Sequence, residues 1–349
     1  MQRRRIIRHH RRSQTARGLM GWRPYPDRIY RDRRSNLHLN EADCIHRLQF
    51  RKEVITEMRQ LIRVDIQPRS GRRTVEVKVT AALAFYASDS FQATTGDMCC
   101  TSQHATHCCI RQLTAALYAK RDQFINFPMT SQAIETGLWA PEFLASPRYR
   151  VRLTVSIILR APLDDTKVYH NRKQFHSLNI QLVCDNMHQI MAVDAKYPGS
   201  IHDAFILRES FISAMFQELP EGHSWLLRHK GYDLATWLVT PLHNPRTEPE
   251  RRYNMSHITA RSIIERTIGI LKQRFRCLDH SGGYLQYVPH HVSQFTVVCC
   301  MLHNLSMMRG QVLDMEDPPE ERRGWGEEEE EADIDNKDEE EEEEDEEED

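Results

Sequence analysis

Hydrophobic and polar residues alternate along Ser177–Cys184, and this period of two predicts a β-strand with one face in a core. Asp185 begins a turn, and the stretch Gln189–Tyr197 predicts a second strand that pairs with the first as a hairpin. A Pro-Gly-Ser sequence ends the second strand, and a helix is expected to begin near Asp203. The Asp203 carboxylate then lies at a strand-to-helix turn, where it is either a metal ligand or an ordinary favourable acid in a first helical turn.

The rest of the C-terminal half predicts two more strands and two long helices. Val151–Arg160 is a β-branched run that ends before Ala-Pro, which indicates a buried strand, and Ser224–Tyr232 predicts a shorter strand. His257–Leu278 carries apolar residues at helical spacing and predicts an amphipathic helix, preceded by a loop over Asn244–Asn254. Val292–Met308 predicts an apolar helix that packs against the sheet.

The N-terminal half has apolar residues at helical spacing. His38–Gln67 is expected to be helix-rich, and three further helical segments are predicted over Val75–Ser88, Phe91–Met98 and Thr101–Ile125. Two short helices and a longer third, joined by tight turns, are typical of a helix-turn-helix, and a plain three-helix bundle gives the same pattern. In the first case the third helix presents four side chains to a DNA groove: Gln103, His104, His107 and Arg111.

The net charge of -3 hides a strong separation of charge along the 349 residues. The segment Asp314–Asp349 holds 24 acidic and 3 basic residues, so the other 313 residues hold 44 Lys and Arg against 26 Asp and Glu, a balance of +18. A region as basic as these 313 residues attracts polyanions, and nucleic acid is the commonest polyanion that proteins bind. The acidic tail is too charged and too poor in apolar residues to fold.

Residues 1–37 form an arginine-rich arm with no acid before Asp27. Three interpretations are open for this arm: a nuclear-localisation or DNA-backbone segment, a mitochondrial transit peptide, or a solvated tail. The first fits a DNA-binding body best, so we expect the protein in the nucleus, with the cytoplasm as an alternative. Nothing in the chain approaches 18 consecutive uncharged apolar residues, so we expect no membrane span.

Nine cysteines include three adjacent pairs and no CxxC motif, which favours free and mostly buried thiols in a reducing compartment. Zinc is an alternative for the group between Cys99 and Cys108, because His104, His107 and Cys108 share a helix face. No second pair follows at zinc-ribbon or zinc-finger spacing. Buried thiols with groove-facing histidines therefore fit the pattern better.

Several motifs follow one another in a fixed order along most of the chain. They are FYASDSFQATTGDM, NRKQFHSLNIQLVCD, YPGSIHDAFIL, SWLL followed by GY, TWLVTPL, RYNMSHITARSIIERTIGILKQRFRCL and CCMLHN. In amino-acid sequence and in their order along the chain, these motifs resemble those of the PIF/Harbinger transposase-derived nucleases. The resemblance rests on the whole set, since each motif alone is a weak signal.

This resemblance implies an α+β protein with an N-terminal helical, helix-turn-helix-like region, an RNase H-like α/β DDE nuclease domain and a disordered acidic C-terminal tail. The boundaries that we expect are 1–37 for the basic arm, 38–140 for the helical region, 148–310 for the DDE domain and 311–349 for the tail. The resemblance also implies DNA as the substrate, Mg²⁺ or Mn²⁺ as the cofactor, and a Myb/SANT-like nuclear partner protein.

In the resembling family, three acids hold the metal ions that activate water and stabilise the leaving oxygen during phosphodiester cleavage. Carried onto this sequence, the first acid falls at Leu153, or at Thr154 if one residue is missing, and the second falls at His229, after Arg228. Only the third position is an acid, Glu265, which follows His229 by 36 residues. Imidazole and hydrocarbon are poor ligands for a hard ion such as Mg²⁺, so the resemblance implies an impaired centre.

Asp185 and Asp203 are the remaining acids that could hold one ion together with Glu265. Two functions are therefore open. The first is a transposase-derived, divalent-metal-dependent nuclease whose activity is weak or lost. The second is a non-catalytic relic that binds DNA or protein, and the product of a decaying or mis-assembled gene is a third alternative.

Overall fold

One five-stranded sheet forms the centre of the C-terminal half, in the strand order β3-β2-β1-β4-β5. Its strands are β1 (Tyr149–Ile158), β2 (Ser177–Cys184), β3 (Ile190–Pro198), β4 (Trp225–Leu227) and β5 (Leu238–Val239). β2 runs antiparallel to β1 and β3, β4 runs parallel to β1, and β5 runs parallel to β4. The computed structural model describes residues 39–66, 74–88, 91–127, 149–160, 166–218, 225–227, 236–242, 244–279 and 284–311.

The helices of this half are α6 (Asp203–Arg208), α7 (Phe211–Glu218), α8 (Glu248–Arg274) and α9 (Pro289–Met308). α8 begins at Glu248, inside the segment that the sequence predicted to be a loop. It does so because Thr247 and Glu250 form a capping box, in which each side chain bonds to the backbone N–H of the other, and Pro249 fits the first turn. The predicted apolar stripe is confirmed, with Ile263 half-buried and the others buried: Ile264, Thr267, Ile270, Leu271 and Phe275.

β2 is buried at all eight positions, although its alternating pattern predicted only one buried face. Helices cover both faces of the sheet, and the second face packs against Leu207 of α6 and Phe216 of α7. Ser156 and Asn179 on this face bond locally, whereas the buried side-chain amide of Gln181 has no hydrogen-bond partner in the described part of the chain. Ser156 Oγ donates to Asn179 Oδ1 at 2.8 Å, and Asn179 Nδ2 donates to Ile201 O at 3.1 Å. Packing from distant helices therefore decides the burial of this strand.

The N-terminal half contains α1 (Glu41–Leu48), α2 (Lys52–Ile62), α3 (Val75–Ser88), α4 (Gln92–Met98) and α5 (Gln103–Tyr118). Ser102 caps α5 by accepting the backbone N–H of Ala105 at 3.2 Å. α5 ends at Tyr118 rather than near Ile125, and a single 3₁₀ turn follows at Arg121–Gln123. No helix in the described ranges is long and apolar enough to cross a membrane.

The N-terminal helices and the sheet domain share one hydrophobic core that extends from Cys44 to Leu305. At its centre Phe85 of α3 contacts Phe295 of α9, with ring centroids 5.8 Å apart, and Tyr287, which precedes α9, at 5.7 Å. The nine cysteines are all free thiols, and seven of them are buried. Since both halves bury the same aromatic cluster, neither half keeps its core without the other.

The last turns of α9 attach the β2–β3 hairpin to the helices. Asn304 bonds to both backbone groups of Ile190, accepting its N–H at 2.8 Å and donating to its carbonyl at 2.6 Å, and it also donates to Phe124 O at 2.9 Å. His303 Nε2 bonds to the carbonyl of His188 in the hairpin turn at 2.8 Å. His303 and Asn304, the last two residues of the CCMLHN motif, therefore hold the β2–β3 hairpin against α9.

We expect the protein to lose stability on acidification, because His303 is buried in its neutral form. Burial lowers the pKa of His303 to about 4, whereas an unfolded chain gives about 6.5. The unfolded state takes up the proton first, so this contribution is complete above about pH 6.5 and is lost as the pH falls towards 4. Urea titrations should show that the free energy of unfolding falls by about 2 kcal/mol between about pH 7 and pH 5 because of this group.

The control for this prediction is a pair of variants. His303→Gln should have a smaller difference in unfolding free energy between the two pH values than the unaltered protein. His46→Gln, on the exposed surface of α1, should leave that difference unchanged. An unchanged pH dependence in His303→Gln would contradict the role of the buried imidazole.

Candidate functional site

Glu265 lies on the exposed side of α8. Its carboxylate Oε1 is 3.2 Å from the Nε of Arg261, one helical turn earlier, and the Glu265 side chain is 51% exposed. Thr267, two residues further on, is fully buried and contacts Cys184 at the end of β2. Two residues correspond to about 200° around the helix axis, so Glu265 lies on the side of α8 away from this end of β2.

Leu153 on β1 and Glu265 on α8 lie in neighbouring parts of the domain. Leu153 pairs with Leu182 in the middle of β1. Two residues further along β1, Val155 lines a small cavity together with Ile268 of α8. Glu265 is one helical turn from Ile268. The sheet and the helix therefore bring the first and third expected site positions to neighbouring places.

β4 lies beside β1 and leads towards the second expected site position. The parallel pairing joins Val151 to Leu227, the last residue of β4. Leu153 is two residues beyond Val151, and His229 is two residues beyond Leu227. Arg228 and His229 themselves lie outside the described residues, so the second expected position stays a prediction.

Asp185 shapes the turn between β2 and β3. Its Oδ1 accepts two backbone N–H groups of the turn, each at 2.9 Å, as a turn-forming aspartate commonly does. In the same turn, His188 Nδ1 bonds to Thr267 Oγ1 of α8 at 2.9 Å. Because Glu265 points away from the Thr267 side of α8, the turn that contains Asp185 does not face Glu265.

The backbone of Asp203 begins α6, beyond the opposite end of β3 from Asp185. β3 has nine residues, and at about 3.3 Å per residue this separates the two acids by roughly 25 Å. Ligands of one Mg²⁺ lie at about 2.1 Å from the ion. The structure therefore does not bring Asp185, Asp203 and Glu265 together around one ion, in contrast to the sequence-based expectation.

The donors in the described part of the chain do not fit a hard divalent ion. Within it, no group of three or more His, Cys, Asp or Glu side chains is arranged to hold a metal. Glu265 shares its carboxylate with the Arg261 guanidinium, and the Asp185 oxygen is used by the turn. Mg²⁺ takes oxygen ligands, and a lone carboxylate beside a guanidinium is a weak anchor for it.

Gln103, His104 and Arg111 on α5 are exposed, as a groove-facing surface requires, and their contact with DNA stays a prediction. His107 is half-buried and contacts the protein itself. Its ring is stacked on Tyr287 with centroids 6.2 Å apart, and its Nδ1 is 3.2 Å from the Nε2 of Gln92. These contacts hold the ring of His107 in place and leave part of it at the surface.

Two features of the site region were not identified from the sequence. Arg261 precedes Glu265 by four residues, so helical spacing alone would have indicated their ion pair. Tyr287 packs on His107 although the two residues are 180 positions apart, and no local sequence pattern predicts this contact. His290 and His291 follow closely and come to lie beside α5 for the same reason, since α9 packs on α5.

Residues 154–304, which contain most of the sheet together with α8 and nearly all of α9, match the family described as DDE superfamily endonuclease. Over 263 residues the chain is 39% identical to the human protein "Putative nuclease HARBI1", covering 72% of this chain and 75% of that one. The Xenopus laevis protein of the same name is 35% identical over 243 residues, covering 68% and 70%. The chain belongs to the Harbinger transposase-derived nuclease family.

A more distant relative is the Arabidopsis thaliana "Protein ALP1-like", which is 25% identical over 167 residues, 43% of this chain and 39% of that one. No solved structure matches the chain. The family assignment confirms the resemblance that the ordered motifs carry, and it identifies the sheet with its helices as a DDE endonuclease domain.

Proposed function

We propose that this protein uses the fold of a transposase-derived nuclease to bind DNA and that it cleaves DNA weakly or not at all. The observation that carries the proposal is the leucine at position 153, on the strand beside the helical turn of Glu265. A metal-dependent nuclease needs an acid at that place, because a hydrocarbon offers no ligand to an ion.

We also infer that the domain has the RNase H-like form that the family resemblance implies. The strand order β3-β2-β1-β4-β5, with β2 as the one strand opposed to its neighbours in the described sheet, supports this inference. The positions of Leu153, Leu227 and Glu265 support it further, since the family takes its three acids from the first strand, from just after a neighbouring strand, and from the long helix.

In this proposal, the metal-binding capacity of the family site is largely lost rather than moved elsewhere. Glu265 is the single acid at the three family positions, and the second position is His229 after Arg228. Imidazole prefers softer ions than Mg²⁺ or Mn²⁺, and the Arg228 guanidinium adds a positive charge where a cation is needed. The residues of this chain are therefore left with binding and positioning DNA.

DNA binding should depend steeply on salt, because the +18 balance outside the acidic tail attracts phosphates rather than particular bases. We expect the affinity for a short duplex to fall by about a hundredfold or more between about 50 mM and 200 mM salt, as four or more phosphate contacts predict. Fluorescence anisotropy with a labelled duplex measures this dependence. An affinity that hardly changes with salt would contradict electrostatic DNA binding.

A residually active nuclease is the second candidate, and one observation favours it. The carboxylate of Glu265 is half-exposed at the place that the family uses for its third acid. If a nucleic-acid phosphate and water complete the ligands of one ion there, slow cutting follows. Slow cutting that requires Glu265 would support this candidate over the non-catalytic one.

A further inference from the structure

Five basic or titratable side chains from two distant parts of the sequence lie on one surface of the protein. His104, His107 and Arg111 come from α5, and His290 and His291 come from the first turn of α9. We call these five residues the histidine–arginine patch. His104, Arg111 and His290 are exposed, and His107 and His291 are half-buried. The packing of α9 on α5 brings the two groups together.

Two rings of the patch, those of His107 and His291, are held in place by contacts with the protein. His107 is stacked on Tyr287 with its plane within 8° of parallel, and His291 is stacked on Phe295 with centroids 6.5 Å apart. Gln92 of α4 fixes one edge of this arrangement, because its Nε2 donates to the Tyr287 hydroxyl at 2.6 Å and lies 3.2 Å from His107 Nδ1. Fixed rings lose little conformational entropy when they contact a ligand.

The charged groups around these two imidazoles are basic. Burial lowers the pKa of His107, and the nearby Arg111 and His104 lower it further. Burial also lowers the pKa of His291, with Arg111, His290 and His107 adding to the effect while a hydrogen bond to the Gln294 side chain opposes it. On the neighbouring α4 the acid is the exposed Asp97, which is not among the groups that shift either pKa.

Such a patch favours an anion more strongly once its imidazoles are protonated. At neutral pH the two half-buried histidines are mainly uncharged, and Arg111 supplies the fixed positive charge. A bound phosphate offsets the repulsion among the cations, so binding and proton uptake support each other. The ligand chemistry that fits five such groups spread over two helices is a chain of phosphates, as in a nucleic-acid backbone.

We propose that the histidine–arginine patch binds the phosphate backbone of DNA and that protonation of its imidazoles strengthens this contact, so that DNA affinity rises as the pH falls below about 6.5. The inference rests on the DNA-binding function proposed above. It adds the α9 residues His290 and His291 to the surface predicted on α5, and it assigns to the patch a proton-dependent contact.

The experiment measures binding of the full chain to a labelled duplex at about pH 7.5 and about pH 5.5, on either side of the ordinary pKa of histidine. The test variant is His290→Gln with His291→Gln, which removes two imidazoles and keeps polar side chains. Acidification also affects carboxylates elsewhere, so the matched control is His46→Gln, an exposed histidine on α1. Circular dichroism checks the fold of each variant, and the single variant His104→Gln provides an independent test at an exposed position.

We expect the unaltered protein and His46→Gln to bind about threefold to tenfold more tightly at the lower pH, and the double variant to lose most of this gain. At the lower pH the slope of log affinity against log salt should be smaller in the double variant than in the unaltered protein, by at most about 2, and smaller also in His104→Gln. Equal pH and salt dependence in the variants and in His46→Gln would overturn the inference while the proposed DNA binding stands. If the unaltered protein binds no duplex at either pH, both the inference and the proposed DNA binding fail.

Discussion

Replacing Leu153 by Asp, together with Arg228→Gly and His229→Asp, is expected to give the chain a metal-dependent nuclease activity. The three changes restore acids at the positions that the family motifs assign, and β1, the strand of Leu153, packs against α8, the helix of Glu265. Carboxylate oxygens are the ligands that Mg²⁺ and Mn²⁺ prefer, and a bound ion stabilises charge in the transition state by several kcal/mol. At about 1.4 kcal/mol per factor of ten, the rate of plasmid nicking should rise by about a thousandfold.

Two further variants make this expectation specific. The first combines the restored acids with Glu265→Ala and should lose the activity. The second carries Leu153→Asn and His229→Asn with Arg228→Gly, which matches the restored variant in size and removes the negative charges. A folded restored variant that cuts no faster than this amide control would contradict the assignment of the three positions.

Replacing Arg274 by Leu is expected to destabilise the protein by about 3 kcal/mol or more, since the buried oxygens Ser306 Oγ and Gln311 O lose their charged donor. The Arg274 guanidinium is fully buried and donates to three groups, which are Gln49 O at 3.2 Å, Ser306 Oγ at 2.7 Å and Gln311 O at 2.6 Å. It also lies over the ring of Phe50, 5.7 Å from its centroid.

The position of this cation explains how a buried charge is tolerated. Gln49 ends α1, and Ser306 and Gln311 lie at the end of α9, so the guanidinium meets the negative ends of two helix dipoles. Burial still lowers the pKa of Arg274 to about 10, which leaves the group charged at neutral pH. The same contacts join the N-terminal helices to α8, the helix that carries Glu265.

Urea denaturation at neutral pH measures the effect of Arg274→Leu. The matched control is Arg276→Leu, two residues away on the exposed surface, which should change the unfolding free energy by about 0.5 kcal/mol or less. Arg274→Lys should give an intermediate loss, because an ammonium group cannot reach all three acceptors in a fixed geometry. Equal stability of the Leu variants at the two positions would contradict the role of Arg274 in joining the two halves.

The elements that the sequence predicted correctly are those with a strong local pattern. The hairpin β2–β3 and the apolar stripe of α8 each depend on residues close together in the chain. The errors arise where distant packing or a local cap competes with the pattern. β2 is buried on both faces because helices cover the whole sheet, and α8 begins at Glu248 because a capping box outweighs the polar composition of that segment.

The candidate site was predictable only in part. The order of the motifs selected Leu153, and the structure places its strand beside the helical turn of Glu265. Asp185 and Asp203 looked equivalent in the sequence, because each follows a strand, but antiparallel pairing puts them at opposite ends of β3. The contact between Tyr287 and His107 depends on the packing of α9 on α5, which no local pattern encodes.

The most direct test of the proposed loss of catalysis is a plasmid-cleavage assay of the unaltered protein with Mg²⁺ and with Mn²⁺. We predict that supercoiled plasmid stays intact, or is nicked only slowly, at protein concentrations that bind DNA. Rapid cleavage that depends on the metal and disappears in Glu265→Ala would contradict the account.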